Sequence, residues 1–405
     1  MKKEIEYINQ MVPKYFVVGP PILVTRKNKT IELKKEYLCD LFHSIYSKYL
    51  NRLNKNQDKN QDKNQVTFSI CSTQLQVKYG KAYPFYIKHM LDAGFISVSR
   101  KHKKDKNCTI YRFRQGVVEK SELILYKNED DKIIVSYIET LKTNVESKNY
   151  PKRLVNTINK NLQSISIKKQ EAIEYLNSQY NENERNNEKY IRNYISILNI
   201  VDKHSYLKID DYGRIHTFFT VLKKEIRKNY LLIDGEPVVE KDISNSQALF
   251  FLHLMSENLD DKINKSELIR FKDDVFDNKL YTRLGSFYGL IREDAKEIFY
   301  RLLFGGANAN DEAFNTFYPT IRKFMRRSKV GNYKRMAHEL QRAESEFIFK
   351  KICVELKREK IKFFTIHDSI CAKVSDFTLM ESIFNNRLNN LKQEIINNIQ
   401  SYYRV

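Results

Sequence analysis

The sequence has no apolar run of transmembrane length, so it predicts no membrane-spanning helix. Its early apolar patch, Phe16 to Val24, is interrupted by Gly19, Pro20 and Pro21 and is too short for a secretory leader with its cleavage site. The five cysteines, Cys39, Cys71, Cys108, Cys353 and Cys371, are odd in number and include no CxxC pair, which speaks against a zinc site and against a secreted disulfide scaffold. A reducing cytoplasm is the expected compartment, with no membrane partner.

Acidic charge is also scarce. Against 71 Lys and Arg stand 50 Asp and Glu, a formal net charge of +21 over 405 residues. Such a surface concentrates polyanions, of which nucleic acid is the commonest. The cations are spread along the whole chain instead of being gathered on one amphipathic helix, so anionic lipid is the weaker candidate. With 41% hydrophobic residues the chain can bury a sizeable core and divide into two or three domains.

Three stretches follow from texture. In residues 1–120, helical spacing over Lys34 to Leu50 precedes the polar run NKNQDKNQDKNQ, residues 54–65, which reads as a solvated, disordered loop. Two further helical segments then lead into FISVSR and CTIYRFR, a hairpin whose tip KHKKDKN carries Lys101, Lys103, Lys104 and Lys106. This order resembles a winged-helix module, in which the helix near Ala82 to Leu91 faces a DNA groove and the four lysines contact phosphate. A small α/β packing domain with a solvated hairpin is the other reading. Residues 121–207 are charged and Asn-rich, with helical spacing but no glycine, and predict a helical linker or thumb-like region. In residues 208–405 short β-type runs alternate with helices.

The residues that suggest chemistry lie in that last stretch. Asp234-Gly235 is a tight-turn signal between two apolar runs, so Leu231 to Ile233 and Pro237 to Ile243 predict a hairpin with Asp242 at its end. A carboxylate there can hold a metal or simply cap the next helix. A second hairpin, Ile361 to Val374, has His367-Asp368 at its centre. Two carboxylates meeting at one end of a sheet would suit a pair of divalent cations and in-line phosphoryl displacement. Between the hairpins, Arg292, Lys296, Tyr300 and Phe304 recur every four residues and share one helix face. That face fits a triphosphate and a base, or an amphipathic surface helix with a basic stripe.

EKDISNSQALFF, REDAKEIFYRLLFGG and TIHDSICAK, in that order, resemble the motifs of DNA polymerase family A and the related single-subunit phage-type RNA polymerases. The resemblance covers roughly Tyr212 to Lys373. Weaker matches are DYGRIHTFFTVLKKEIRKNYL and YKRMAHELQRAESEFIFKKI. It implies an α+β, mostly helical right-hand polymerase with an antiparallel palm sheet and helical fingers and thumb, preceded by the winged-helix-like domain. It further implies two Mg²⁺ ions, with Mn²⁺ as a substitute, held by Asp242, Asp368 and the Ile243 carbonyl. Arg292 and Lys296 would bind triphosphate, His367 would orient, and Tyr300 and Phe304 would meet the base and sugar. Arg214, Arg227, Gln341 and Arg335 would contact the DNA primer and template. Gln247, five after Asp242, would crowd a ribose 2′-hydroxyl and so favour dNTPs over NTPs.

The implied activity is that of a DNA-templated DNA polymerase of a mobile element, plasmid or phage, in a bacterial or phage-infected cell, with accessory replication proteins as further partners. The serine after His367-Asp368 is closer to the RNA enzymes, so a compact RNA polymerase or primase-like enzyme is the alternative. A DNA-binding replication initiator or regulator without catalysis is the third.

Overall fold

The computed structural model describes residues 7–57, 67–70, 72–100, 109–114, 116–117, 123–143, 150–181, 188–204, 207–306 and 308–403. The chain is mixed α+β and 61% helical, with small antiparallel sheets. It forms two compact units that are discontinuous in sequence. The first comprises Met1–Asn144, Ile167–Ser205 and Val221–Ile226, and the second Val145–Ser166, Tyr206–Thr220 and Arg227–Val405.

In the first unit, strand β1 (Ile8–Pro13) is followed by the ribbon β2 (Leu23–Arg26) and β3 (Lys29–Glu32), then by a long helix, Lys35–Gln57. Strand β4 (Thr67–Ser69), helices Ser72–Tyr79 and Tyr83–Asp92, and strands β5 (Ile96–Arg100) and β6 (Ile110–Phe113) come next. These three strands pair antiparallel in the order β4-β6-β5. Phe42, Tyr46, Phe95 and Phe113 meet beneath them in a fully enclosed aromatic core. The Tyr83–Asp92 helix starts with Pro84 in its first turn, where a missing N–H is harmless, and buries Phe85, Tyr86, Ile87 and Met90.

Two expectations change here. The helix runs on through Gln57, so the first four residues of the polar run continue it, because elongating a formed helix costs far less than nucleating one. Residues 58–65 lie outside the described residues, as do Lys101, Lys103, Lys104 and Lys106. The second change is β7 (Leu123–Asn128), which pairs with β1 across more than a hundred residues where a helical region was expected. Helices Asp131–Thr143, Lys169–Ser178 and Glu188–Val201 also belong to this unit.

The second unit holds helix Lys152–Gln163, β8 (Ile165–Ile167), and the small ribbon β9 (Lys208–Ile209) and β10 (Ile215–His216). Strands β11 (Leu231–Ile233) and β12 (Glu236–Asp242) follow, and β13 (Phe363–Ile366) and β14 (Ser369–Lys373) come near the end. The main sheet has the order β13-β14-β12-β11-β8. Asp234 and Gly235 both have positive φ, 51° and 86°, the two-residue type I′ pattern that matches strand twist. Between β12 and β13 lies a helical layer whose buried aromatics Phe251, Phe271, Phe299, Phe314 and Tyr318 stack edge to face. Truncating any of them to alanine should cost roughly 3–5 kcal/mol. No helix among the described residues is long and apolar enough to cross a membrane.

Candidate active site

The register of β12 on β14 sets the geometry. Asp242, the last residue of β12, is the cross-strand partner of Ser369, and Asp368 immediately precedes Ser369. Directly opposed residues have Cα atoms roughly 5 Å apart and point to the same face. Both aspartates therefore stand at one end of the sheet on adjacent strands. Asp242 is exposed and Asp368 half-buried. Among the described residues neither carboxylate makes a hydrogen bond or an ion pair, although the chain is strongly basic. Two open carboxylates at one end of a sheet are a donor set that fits hard divalent cations.

The turn that presents Asp368 is constrained. His367, the first of the two residues that connect β13 to β14, has φ of +54°, in the left-handed region that residues other than glycine seldom adopt. A histidine there stores backbone strain of order 1 kcal/mol or more. Ser369 steadies the turn, with its hydroxyl donating to Glu240 Oε1 at 3.0 Å and lying 2.9 Å from the Ile366 carbonyl. The His367 imidazole keeps an exposed edge, yet the surrounding protein depresses its pKa, and the nearby Arg214 and His216 add to the effect.

Helix Arg292–Phe304 buries Ala295, Ile298, Phe299, Leu302 and Leu303 and carries Glu293 and Asp294 in its first turn, where negative charge meets the helix dipole favourably. It packs tightly on helix Leu280–Tyr288, since a Cβ at Gly285 would sit 3.3 Å from the Ala295 side chain. Arg292 and Lys296 are exposed, and Tyr300 and Phe304 half-buried. Lys296 Nζ lies 5.3 Å from the Tyr300 ring centre, and the Tyr300 and Phe304 rings meet edge to face at 5.6 Å. Arg292 Nη2 donates to Asn245 Oδ1 at 2.9 Å. Asn245 is buried, sits at φ of +55° just before helix Ser246–Ser256, and thus joins this helix to the segment that leaves Asp242. The Tyr300 phenol is pushed up to about 12, mainly by burial and then by the charges of Asp368 and Glu344. The cation-bearing helix and the His367-Asp368 turn are therefore electrostatic neighbours.

The other expected residues fall as follows. Ile243 is buried directly after Asp242. Arg214 follows Gly213, where φ is +86° and any side chain would meet the Tyr150 hydroxyl. Its guanidinium reaches Glu344 Oε1 at 2.6 Å. Arg227 Nη2 lies 3.7 Å from Glu240. Gln341 is half-buried on helix Arg335–Glu346, while Arg335 at the start of that helix is exposed and pairs with Glu339 at 2.8 Å. Gln247 is buried and hydrogen-bonded to Glu344.

Glu344 is the residue that sequence reasoning passed over. It is 1% exposed, and burial raises its pKa while Arg214 opposes the rise. Its signal was present, since Met336, Leu340 and Phe347 form an apolar stripe in which position 344 is charged. The Tyr212 hydroxyl and His338 Nε2 are 2.9 Å apart, and Asp210 accepts from His216 at 3.0 Å, so the β9–β10 ribbon is tied down beside the site. Asp242 also borders a cavity of about 230 Å³ with Lys241, Ser244, Asn278 and Lys392. A separate group, His253, Glu257 and Glu394, brings ligand atoms within 4.8 Å of one another and uses none of the expected site residues. No protein-family model matches the chain, and no curated protein matches it.

Proposed function

We propose that this chain is a template-directed nucleotidyl transferase of the right-hand type, a DNA-templated DNA polymerase of a mobile element, plasmid or phage. The observation that carries the reading is the β12–β14 register, which brings Asp242 and Asp368, both without a hydrogen bond or ion pair among the described residues, to one end of the sheet, with Asp368 within electrostatic reach of the Arg292–Phe304 helix. A dead site has no physical need for two open carboxylates, one of them held by a strained turn, next to basic residues.

Asp242, Asp368 and the Ile243 carbonyl are the groups that would hold two Mg²⁺ ions, which supply acidity to a primer 3′-hydroxyl and charge stabilisation to the departing pyrophosphate. In the reaction the primer 3′-hydroxyl gives its proton to solvent water, its oxygen bonds to the α-phosphorus, the bond from that phosphorus to the oxygen bridging to the β-phosphate breaks, and pyrophosphate leaves. Arg292, steadied by Asn245, binds triphosphate oxygens as a fork, and Lys296 neutralises the leaving group and gives it a proton. Tyr300 and Phe304 offer an aromatic surface to the base. His367 orients the turn. Gln247 crowds the sugar edge, which favours dNTPs.

The first unit fits a DNA-addressing role. Its helix, strand, helix, helix, strand, strand order with an antiparallel sheet is compatible with a winged-helix module, whose wing would be the lysine-rich run. Primer extension with Mg²⁺ and either dNTPs or NTPs tests the reading. Template-dependent addition of dNTPs that disappears in Asp368→Ala is the expected result. DNA binding with no addition of either nucleotide class would leave only a DNA-associated regulator.

A further inference from the structure

Glu344 gathers four polar contacts inside the second unit. Its Oε1 accepts from Arg214 Nε at 3.2 Å and Nη2 at 2.6 Å, and its Oε2 accepts from Ser246 Oγ at 3.1 Å and from Gln247 Nε2. Gln247 Nε2 also donates to Ser246 Oγ at 3.3 Å. Both amide hydrogens of Gln247 are thereby spent on one side, which decides which end of the amide is nitrogen. The amide oxygen is left buried without a donor among the described residues. A long, freely rotating glutamine would be reduced to one rotamer by this arrangement. Ser246 and Gln247 open the helix directly after Asn245, which accepts from Arg292 at 2.9 Å, and the Glu344 carboxylate is also an electrostatic neighbour of Asp368 and Tyr300, so the clamp sits at the candidate site and not in a remote part of the core.

We propose that Glu344 is a positioning residue for sugar selection, clamping Gln247 and Arg214 so that Gln247 cannot swing away from a 2′-hydroxyl. This rests on the nucleotidyl-transfer reading above. A bulky side chain rejects an extra hydroxyl only if it cannot yield, and rotation about free side-chain bonds is an easy way to yield. The neighbouring ion pair with Arg214 compensates the buried charge and holds the carboxylate itself in place.

The test is competition between dNTPs and NTPs in one reaction, with wild type, Gln247→Gly, Glu344→Ala, Glu344→Gln and the Gln247→Gly/Glu344→Ala double variant. The incorporation ratio is independent of the active fraction, so a partly folded preparation still reports it. Glu344→Ala should lower dNTP preference by about ten-fold, the scale of one lost hydrogen bond. Glu344→Gln, which keeps an acceptor for Gln247, should retain more of the preference. The double variant should be no less selective than Gln247→Gly alone, because both changes remove one device. An unmoved ratio in Glu344→Ala, or additive losses in the double variant, would overturn the clamp while leaving the polymerase reading intact. A wild-type chain that incorporates neither nucleotide class overturns both.

Discussion

Asp242 faces Ser369 across the β12–β14 ladder, and this single pairing brings the aspartate at the end of β12 to the same end of the sheet as Asp368, the aspartate that closes the turn before β14. A slip of one residue in that register would send Asp242 to the other face of the sheet. The pairing is pinned from both sides, by Ser369 bonding Glu240 and by Lys241 bonding Glu381 at 2.6 Å on the opposite face.

Removing either carboxylate should therefore stop chemistry without unfolding the protein. Asp242→Asn and Asp368→Ala are expected to lower nucleotide addition by roughly 10³-fold or more, the equivalent of several kcal/mol of lost charge stabilisation. Binding to duplex DNA, followed by fluorescence anisotropy, should be retained. Synthesis at wild-type rates in either variant would reject the assignment.

The Arg292–Asn245 bond predicts a different kinetic signature. Arg292→Ala and Lys296→Ala should reduce kcat/KM for nucleotide by about 10- to 100-fold, since each removes a charge-assisted contact. Asn245→Ala should reproduce a part of the Arg292→Ala loss, as it frees the guanidinium without deleting it. Equal nucleotide kinetics in Asn245→Ala and wild type would show that this bond does not position Arg292.

Lys329 gives a pH-dependent prediction. Its ammonium is buried and donates to the carbonyls of Leu302 and Gly305 at the end of the Arg292–Phe304 helix, and burial pushes its pKa down to about 8 from 10.5. Between those two values the unfolded chain binds more protons than the native one, so unfolding free energy gains a positive slope with pH. The burial cost is fully present below pH 8 and is relieved as pH rises toward 10.5. Urea denaturation of Lys329→Met across that window should show a shallower slope than wild type, and parallel curves would count against it.

Arg322 is 3% exposed, and none of its three guanidinium nitrogens has a hydrogen-bond partner among the described residues. An uncompensated buried charge is destabilising, so Arg322→Met should be neutral or stabilising by about 1–4 kcal/mol. A clear fall in the urea midpoint would show that this guanidinium contributes to the fold.

Lys101, Lys103, Lys104 and Lys106 lie outside the described residues, so the prediction for them rests on charge alone. Replacing all four by glutamine should weaken DNA binding and flatten its dependence on log salt by about 3 to 4, if each neutralises one phosphate. An unchanged slope would remove this run from the DNA interface.

What the sequence determined by itself is local. The Asp234-Gly235 turn, the β-type runs around His367-Asp368 and the four-residue recurrence from Arg292 to Phe304 each reappear where backbone sterics and side-chain periodicity demand them. Such signals act over two to four residues and need no knowledge of the rest of the chain. Tertiary structure alone decided the pairing of β1 with β7, the union of Glu344 with Gln247 and Arg214 over separations of 97 and 130 residues, and the burial of Arg322. Those depend on which apolar faces pack together, and only packing makes a charged or polar group inside them find, or fail to find, a partner.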